Sequence, residues 1–228
     1  MHTNLEKQLI GTTSWMIPGT YYENVEYITR NFRSIQFVEL LVYTWDEDTF
    51  NLLEKEKDYL FEIARQTGIK YTAHLPTDSL SNVFEAFKYL ENNFEIENYV
   101  VHPFEEFDTG NFESKELQLL LNHPKISVEN LKEHYFKHSR TVFDTGHCFL
   151  GIPVDQEFLN NVVEIHMMGV NGDKDHEVLD FATLEKVHEV LSDTLFKTRY
   201  LCFEIFDAEK LEESLKIWNE FKDNRWGV

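Results

Sequence analysis

Short runs crowded with β-branched, aromatic and other apolar residues alternate along this chain with longer stretches whose apolar residues recur every three or four positions. The short runs are QLIGTTSWM (8–16), SIQFVELLVY (34–43), IKYTAHLP (69–76), NYVVHPF (98–104), KISVENL (125–131), TVFDTGH (141–147), VVEIHMMG (162–169) and RYLCFEIF (199–206). Amphipathic helices are predicted over roughly 22–33, 48–67, 79–94, 113–122, 181–195 and 207–223, and the connections after the fifth and sixth runs read as short or irregular. Eight strands alternating with helices predict a compact (β/α)8 barrel, a closed parallel sheet ringed by helices. An open doubly wound sheet is the competing architecture. Against it, the first strand–helix turn, TTSWMIPGTYYEN, lacks the glycine-rich phosphate loop of a dinucleotide fold. No linker, repeat or low-complexity tract breaks the pattern, so residues 1–228 are expected to form a single domain.

Composition narrows the class. The chain is 42% hydrophobic and 14% aromatic with only 5 Pro and 9 Gly, which supplies one sizeable core and excludes a disordered or fibrous protein. No apolar run approaches the roughly 20 residues of a membrane helix. The start, MHTNLEKQLIGTT, shows no basic and then hydrophobic signal segment. Two cysteines, Cys148 and Cys202, cannot build a disulfide framework, so a soluble cytoplasmic protein is expected. Against 41 Asp and Glu stand 21 Lys and Arg, a net charge of −20. Duplex nucleic acid is bound through cations that displace its counterions, so the balance points away from it and toward a small-molecule substrate.

In a parallel barrel the chemistry gathers at the C-terminal ends of the strands. There the runs place Glu39 on the second strand, His74 on the third, His102 on the fourth and Glu129 on the fifth. The sixth ends in Asp144 with His147 just beyond, across a turn containing Gly146 that could fold the two together. The seventh carries His166, the eighth Glu204, and the loop GVNGDKDHE adds Asp173, Asp175 and His176. A lone strand histidine is most often a hydrogen-bonded core residue, and a lone glutamate can pair with arginine. These strands offer almost no arginine, and several unpaired buried carboxylates are forbiddingly costly. Bound cations satisfy all of these groups at once, and mixed imidazole–carboxylate ligation suits zinc, manganese or iron, with zinc or manganese foremost. Such a ligand count exceeds the need of one ion, so two or three are expected, bridged by Glu129 or Glu204. Clustered ions serve phosphoryl transfer, or polarise a sugar carbonyl and its neighbouring hydroxyl. The ligands alone leave hydrolase and isomerase both open.

Weaker signals complete the reading. Trp15, Tyr43 and Trp45, with Glu39, are expected to face the substrate, the rings as a wall for a flat ligand or as packing beneath loops. Met167 and Met168 read as packing, and His134 and His138 as a solvated face. Neither a serine-centred elbow nor a phosphate-binding P-loop occurs.

Taken in order, TAHLP, YVVHPF, SVENL, VFDTGH, EIHMMG and CFEIF resemble the xylose-isomerase-like barrel superfamily over nearly the whole chain. That group includes metal-dependent apurinic-site endonucleases and many sugar isomerases and epimerases. The resemblance implies that His74, His102, Glu129, Asp144, His147, His166 and Glu204 occupy ligand positions. The endonucleases add an Asp-x-His pair after the seventh strand; here DKDH sets Asp173 and Asp175 around Lys174 before His176, a different spacing. More narrowly, LIGTTSWMIPGTYYENVEYI, VELLVY, VFDTGHCFLGIP and HMMGVNGDKDHEVLD are similar to the cobamide-remodelling phosphodiesterases. That likeness implies hydrolysis of the nucleotide-loop phosphodiester of vitamin B12-type corrinoids, with Glu129, Glu204 and His147 in the chemistry. A sugar (phosphate) isomerase or epimerase is the first alternative, with Glu129 and Glu204 exchanging protons across the substrate. An abasic-site endonuclease and a barrel that binds without turnover follow.

Overall fold

The computed structural model describes residues 7–104, 107 and 114–226. Eight parallel strands close into a barrel: β1 (Leu9–Thr13), β2 (Phe37–Leu41), β3 (Lys70–His74), β4 (Ile96–Val101), β5 (Ile126–Glu129), β6 (Thr141–Asp144), β7 (Val162–Met167) and β10 (Tyr200–Phe203), which pairs back onto β1. Between β7 and β10 an antiparallel hairpin of β8 (Gly169–Asn171) and β9 (Lys174–Glu177) stands apart from the barrel sheet. Around the barrel run α1 (Tyr21–Asn31), α2 (Glu47–Thr67), α3 (Leu80–Asn93), α4 (Lys115–Leu121), α5 (Thr145–Leu150), α6 (Gln156–Leu159), α7 (Phe181–Leu191), α8 (Thr194–Lys197) and α9 (Ala208–Trp226). The predicted barrel is therefore the observed one. Among the described residues no helix is long and apolar enough to cross a membrane.

Local chemistry sets the boundaries. Helices α2 and α3 fall within a residue of their predicted spans, each opened by a side-chain cap, Asp46 on Thr49 N and Ser79 on Asn82 N. The helix predicted over 181–195 breaks because Ser192 takes a left-handed φ of 49° and ends α7 there. The predicted start at 113 lies outside the described residues, as do 1–6 of the amino-terminal stretch; α4 begins at Lys115 behind the Ser114 cap. No helix forms between β5 and β6, as the irregular sequence there suggests. Instead His138 ties that link down, with Nε2 2.8 Å from the Leu121 carbonyl and Nδ1 2.8 Å from that of Arg140. His134 and His138 are half-buried, which corrects the expectation of a solvated face.

Two apolar clusters hold the barrel. The larger lies between strands and helices and includes the fully buried Trp218, Phe203 and Phe221. The smaller, Leu9, Phe37, Tyr200 and Cys202, seals the N-terminal end of the barrel interior. The Phe37 ring meets Tyr200 edge-on at 5.5 Å and lies over Gly11, where a Cβ would come within 2.3 Å of it. Glycine at 11 is thus a requirement of close approach.

The β1–α1 loop that carries Trp15 is fixed by one side chain. Buried Asn24 accepts from Met16 N at 2.6 Å and Ile17 N at 2.9 Å, and donates to the carbonyls of Ile17 and Thr20. The ENV text after the first strand therefore has a structural reason. Asn24→Ala strands two backbone donors and is expected to destabilise the barrel by about 2–3 kcal/mol, measured as a shift of the urea midpoint at unchanged slope.

Candidate metal centre at the barrel rim

The sixth strand explains how the site is assembled. β6 stops at Asp144, whose carboxylate caps α5 by accepting from His147 N, and this short helix brings His147 Nδ1 to 3.7 Å from Asp144 Oδ1. Gly146 does not supply a left-handed turn, which corrects the reason first given for it. It is glycine because α5 is clamped: a Cβ there would meet Met168 Sδ at 2.7 Å and Asp175 Cβ at 2.8 Å.

The candidate ligands at the rim converge on Glu129. Its Oε2 lies 3.1 Å from both His74 Nε2 and His102 Nε2, and its Oε1 lies 3.0 Å from His166 Nδ1. His166 Nδ1 is also 3.3 Å from Glu204 Oε2 and 3.9 Å from Asp144 Oδ2. Two groups result whose ligand atoms all lie within 4.8 Å of one another: His74–His102–Glu129 and Glu129–Asp144–His166–Glu204. Glu129 belongs to both, one oxygen for each.

These residues fit divalent ions. Imidazole carries one proton when neutral, and that of His74 is claimed at Nδ1 by the Leu75 carbonyl 3.0 Å away. Its Nε2 then faces the Glu129 carboxylate lone pair to lone pair unless a proton or a cation stands between them. Protonation shows the same demand for positive charge. Burial works against it, yet Glu39, Glu129 and Glu204 hold the His166 imidazole well above its usual range. Burial likewise opposes ionisation of Glu129, which His166, His102 and His74 nevertheless hold well below the carboxylate range. Burial and the charges of Glu129 and Glu204 push Asp144 well above it.

A sign follows from these directions. A cation that takes Nδ1 of His166 and an oxygen of Asp144 displaces protons those groups hold, so zinc uptake releases protons and tightens as pH rises. Titration calorimetry in buffers of different ionisation heat reads this directly; an enthalpy independent of buffer would contradict it.

The remaining expected residues divide. His147 donates Nδ1–H to the Asn130 carbonyl at 2.8 Å, which leaves Nε2 as its open atom. Tyr43 donates its hydroxyl to Glu204 Oε1 at 3.0 Å, and burial with the Glu204 charge keeps that phenol neutral. Trp15 meets Tyr43 at 6.0 Å and Phe206 at 5.9 Å, and Phe206 stacks on His176 at 4.7 Å. Phe206, which the sequence reading passed over, thus completes a wall beside the rim. Trp45 does not join it; it packs on Phe50 and Tyr89 over the outer helices. Glu39 is fully buried behind His166, Nε2 to Oε2 3.4 Å, rather than on the open side.

Asp173, Asp175 and His176 lie on the hairpin, which turns at Gly172 with φ 66°. Asp173 is exposed. Asp175 pairs with Lys132 Nζ at 2.8 Å, an interaction that sequence reading also missed, and contacts His176 Nδ1 at 3.1 Å. His176, at a left-handed φ of 57°, brings Nε2 to 3.7 Å from Glu204 Oε1. Among the described residues no third group of rim ligands gathers around this pair. Asp175→Ala and His176→Ala are therefore each expected to leave the metal count at its native value, read by elemental analysis.

No protein-family model and no curated protein matches this chain. Solved structures share its fold. A D-tagatose 3-epimerase-like protein superposes with TM-score 0.67 at 17% identity, covering 95% of this chain and 98% of its own. Endonuclease IV from Thermus thermophilus gives 0.56 at 16% identity over 94% and 97%, and a 2-keto 3-deoxygluconate aldolase from Picrophilus torridus gives 0.50 at 13% over 96% and 81%. At such identities the likeness is one of fold alone, a closed (β/α)8 barrel.

Proposed function

We propose that this barrel is a metal-dependent enzyme that hydrolyses the nucleotide-loop phosphodiester of cobamides. The observation that carries the hydrolase reading is the shared carboxylate: Glu129 offers Oε2 to the His74–His102 pair and Oε1 to the His166 side. A carboxylate that bridges two adjoining cation sites suits in-line displacement at phosphorus. Ions held there, zinc or manganese foremost, supply Lewis-acid stabilisation for the charge that grows on the phosphoryl oxygens. The motifs resembling cobamide phosphodiesterases, and a wall of Trp15, Tyr43 and Phe206 fit to receive a flat ring, support the corrinoid as substrate.

The chain's own groups have definable parts. Tyr43 steadies Glu204 through its hydrogen bond. His147, pinned at Nδ1, presents Nε2 as a ligating or proton-accepting atom on the more open side, where its side chain is 22% exposed against 2% for Glu129. Glu129, Asp144, His166 and Glu204 would hold one ion, and His74 and His102 with Glu129 the other.

A second reading has its own support. The four-ligand group alone suffices for one ion, and Glu129 and Glu204 flank His166 as a proton-exchanging pair would in a sugar isomerase or epimerase. Purified, zinc- or manganese-loaded protein incubated with a cobamide without oxygen decides between them. Cleavage into a phosphate-bearing fragment and its partner is expected. An intact cobamide together with interconversion of a keto sugar would replace the hydrolase by the isomerase. With a net charge of −20, no incision of an abasic-site duplex is expected at physiological salt.

A further inference from the structure

His166 is gripped from both ends. Nδ1 faces Glu129 and Glu204 at 3.0 and 3.3 Å on the rim side, and Nε2 faces Glu39 Oε2 at 3.4 Å on the side of the barrel interior. Glu39, Glu164 and His166 are all wholly buried, and Glu39 Oε2, Glu164 Oε1 and His166 Nε2 each lack a well-formed hydrogen bond. Three unpartnered polar atoms in one interior pocket ask for an explanation.

Part of what surrounds them is already engaged, although the hydroxyls of Thr13 and Thr72, opposite Glu39, also lack a partner. Glu164, two residues before His166 on the same strand, accepts from Asn98 Nδ2 at 2.7 Å, and Asn98 Oδ1 accepts from Arg140 at 2.7 Å. Glu39 Oε1 meets the weak thiol donor of Cys202, at 4.0 Å. Register keeps Glu39 in place, since β2 is paired on both sides, Glu39 opposite Thr13 and Thr72. A neutral imidazole that gives its Nδ1 lone pair to a cation must keep its proton on Nε2, and the acceptor facing that proton is Glu39 Oε2.

We infer that Glu39 is a positioning residue of the metal centre: from inside the barrel it accepts the Nε2–H of His166, fixing the tautomer and the ring angle that present Nδ1 to the ion. The inference rests on reading the rim as a metal centre and is independent of whether the reaction is hydrolysis or isomerisation. It also converts Glu39 from a substrate contact into a group that acts only through His166. The rival is an additional interior ion ligated by Glu39, Glu164 and His166 Nε2, whose ligand atoms also lie within 4.8 Å of one another. That rival would require Nε2 to surrender its proton.

Zinc affinity of the metal-free protein, measured by competition with a chromophoric chelator, tests this without reference to turnover. Glu39→Leu is expected to weaken zinc binding about 10–100-fold, and Glu39→Gln less, because its amide oxygen still accepts the Nε2–H. Glu164→Gln should leave the number of bound ions unchanged. In nitrogen-15 spectra of zinc-loaded native protein, His166 should show a protonated Nε2 and a zinc-shifted Nδ1, a signature that mere packing would not produce. Native affinity in a folded Glu39→Leu variant, zinc on Nε2, or loss of an ion in Glu164→Gln would each overturn the assignment. Should the Glu39 variants fail to fold, the native spectrum alone decides. Native protein that takes up no zinc or manganese would remove the metal centre, and Glu39's role with it.

Discussion

On the proposed two-ion hydrolase reading, Glu129→Ala should emerge from purification without either ion and hydrolyse cobamide at least roughly 10³-fold more slowly than the native protein, beyond the loss typical of one stabilising donor. The magnitude follows from where the two oxygens go. Oε2 is shared by His74 and His102, and Oε1 by the His166 group, so one substitution removes a ligand from both sites. Asp144→Ala and Glu204→Ala remove a ligand from one group only and should each retain the ion on the His74–His102 side. All three residues stand at or just past strand ends, outside the apolar clusters that hold the barrel. Loss of Glu129 still leaves buried imidazoles without their counter-charge, a cost of about 3–5 kcal/mol against a total stability of some 5–15. Glu129→Gln, which keeps the shape, is the companion variant, and circular dichroism establishes that each is folded. Elemental analysis finding two ions in folded Glu129→Ala would defeat the shared-carboxylate centre.

The rim was legible in the sequence because barrels obey a positional rule. A polar residue at the C-terminal end of an apolar strand must face the common mouth, so His74, Glu129, Asp144, His166 and Glu204 could be grouped without knowing any distance. The rule fails one step away. Trp45 lies just past β2, but the chain has already turned toward α2, and the ring packs outward on Phe50 and Tyr89. Phe206, two residues beyond Glu204, bends the other way and meets Trp15. Nothing in either local pattern tells the two apart.

Interior depth was also invisible. Glu39 sits one layer below the rim, level with Thr72, two residues short of His74, and Glu164 lies inside its strand, although its place two residues before His166 puts it on the same strand face. The hairpin β8–β9 did leave a signal, Gly172–Asp173 between β-capable residues, which the local text GVNGDKDHE carries without a strongly apolar flank. Lys132 had none. Its pairing with Asp175 joins the β5–β6 link to the hairpin across α5, where Gly151 lets the Lys132 carbonyl come within 2.1 Å of where a Cβ would stand.

The place of bond cleavage gives the second large effect. Hydrolysis run in oxygen-18 water should put the label on the phosphate of one product, because displacement at phosphorus makes the incoming oxygen a phosphoryl oxygen. Cleavage of a carbon–oxygen bond would leave the phosphate unlabelled and place the new oxygen on carbon. The rim favours the first outcome: its charge-demanding groups converge on the two oxygens of Glu129, where anionic phosphoryl oxygens gain most from bound cations. Removing the ions with a chelator should abolish turnover, and added zinc or manganese should restore it, since no lysine or arginine approaches Glu129, Asp144 or Glu204 among the described ion pairs. His147→Ala should then slow the step more than Trp15→Ala, a residue that is 54% exposed and packs edge-on against Tyr43 and Phe206. Labelled phosphate with metal-dependent turnover puts the chemistry at phosphorus; unlabelled phosphate would reject displacement there even if the cobamide were cleaved.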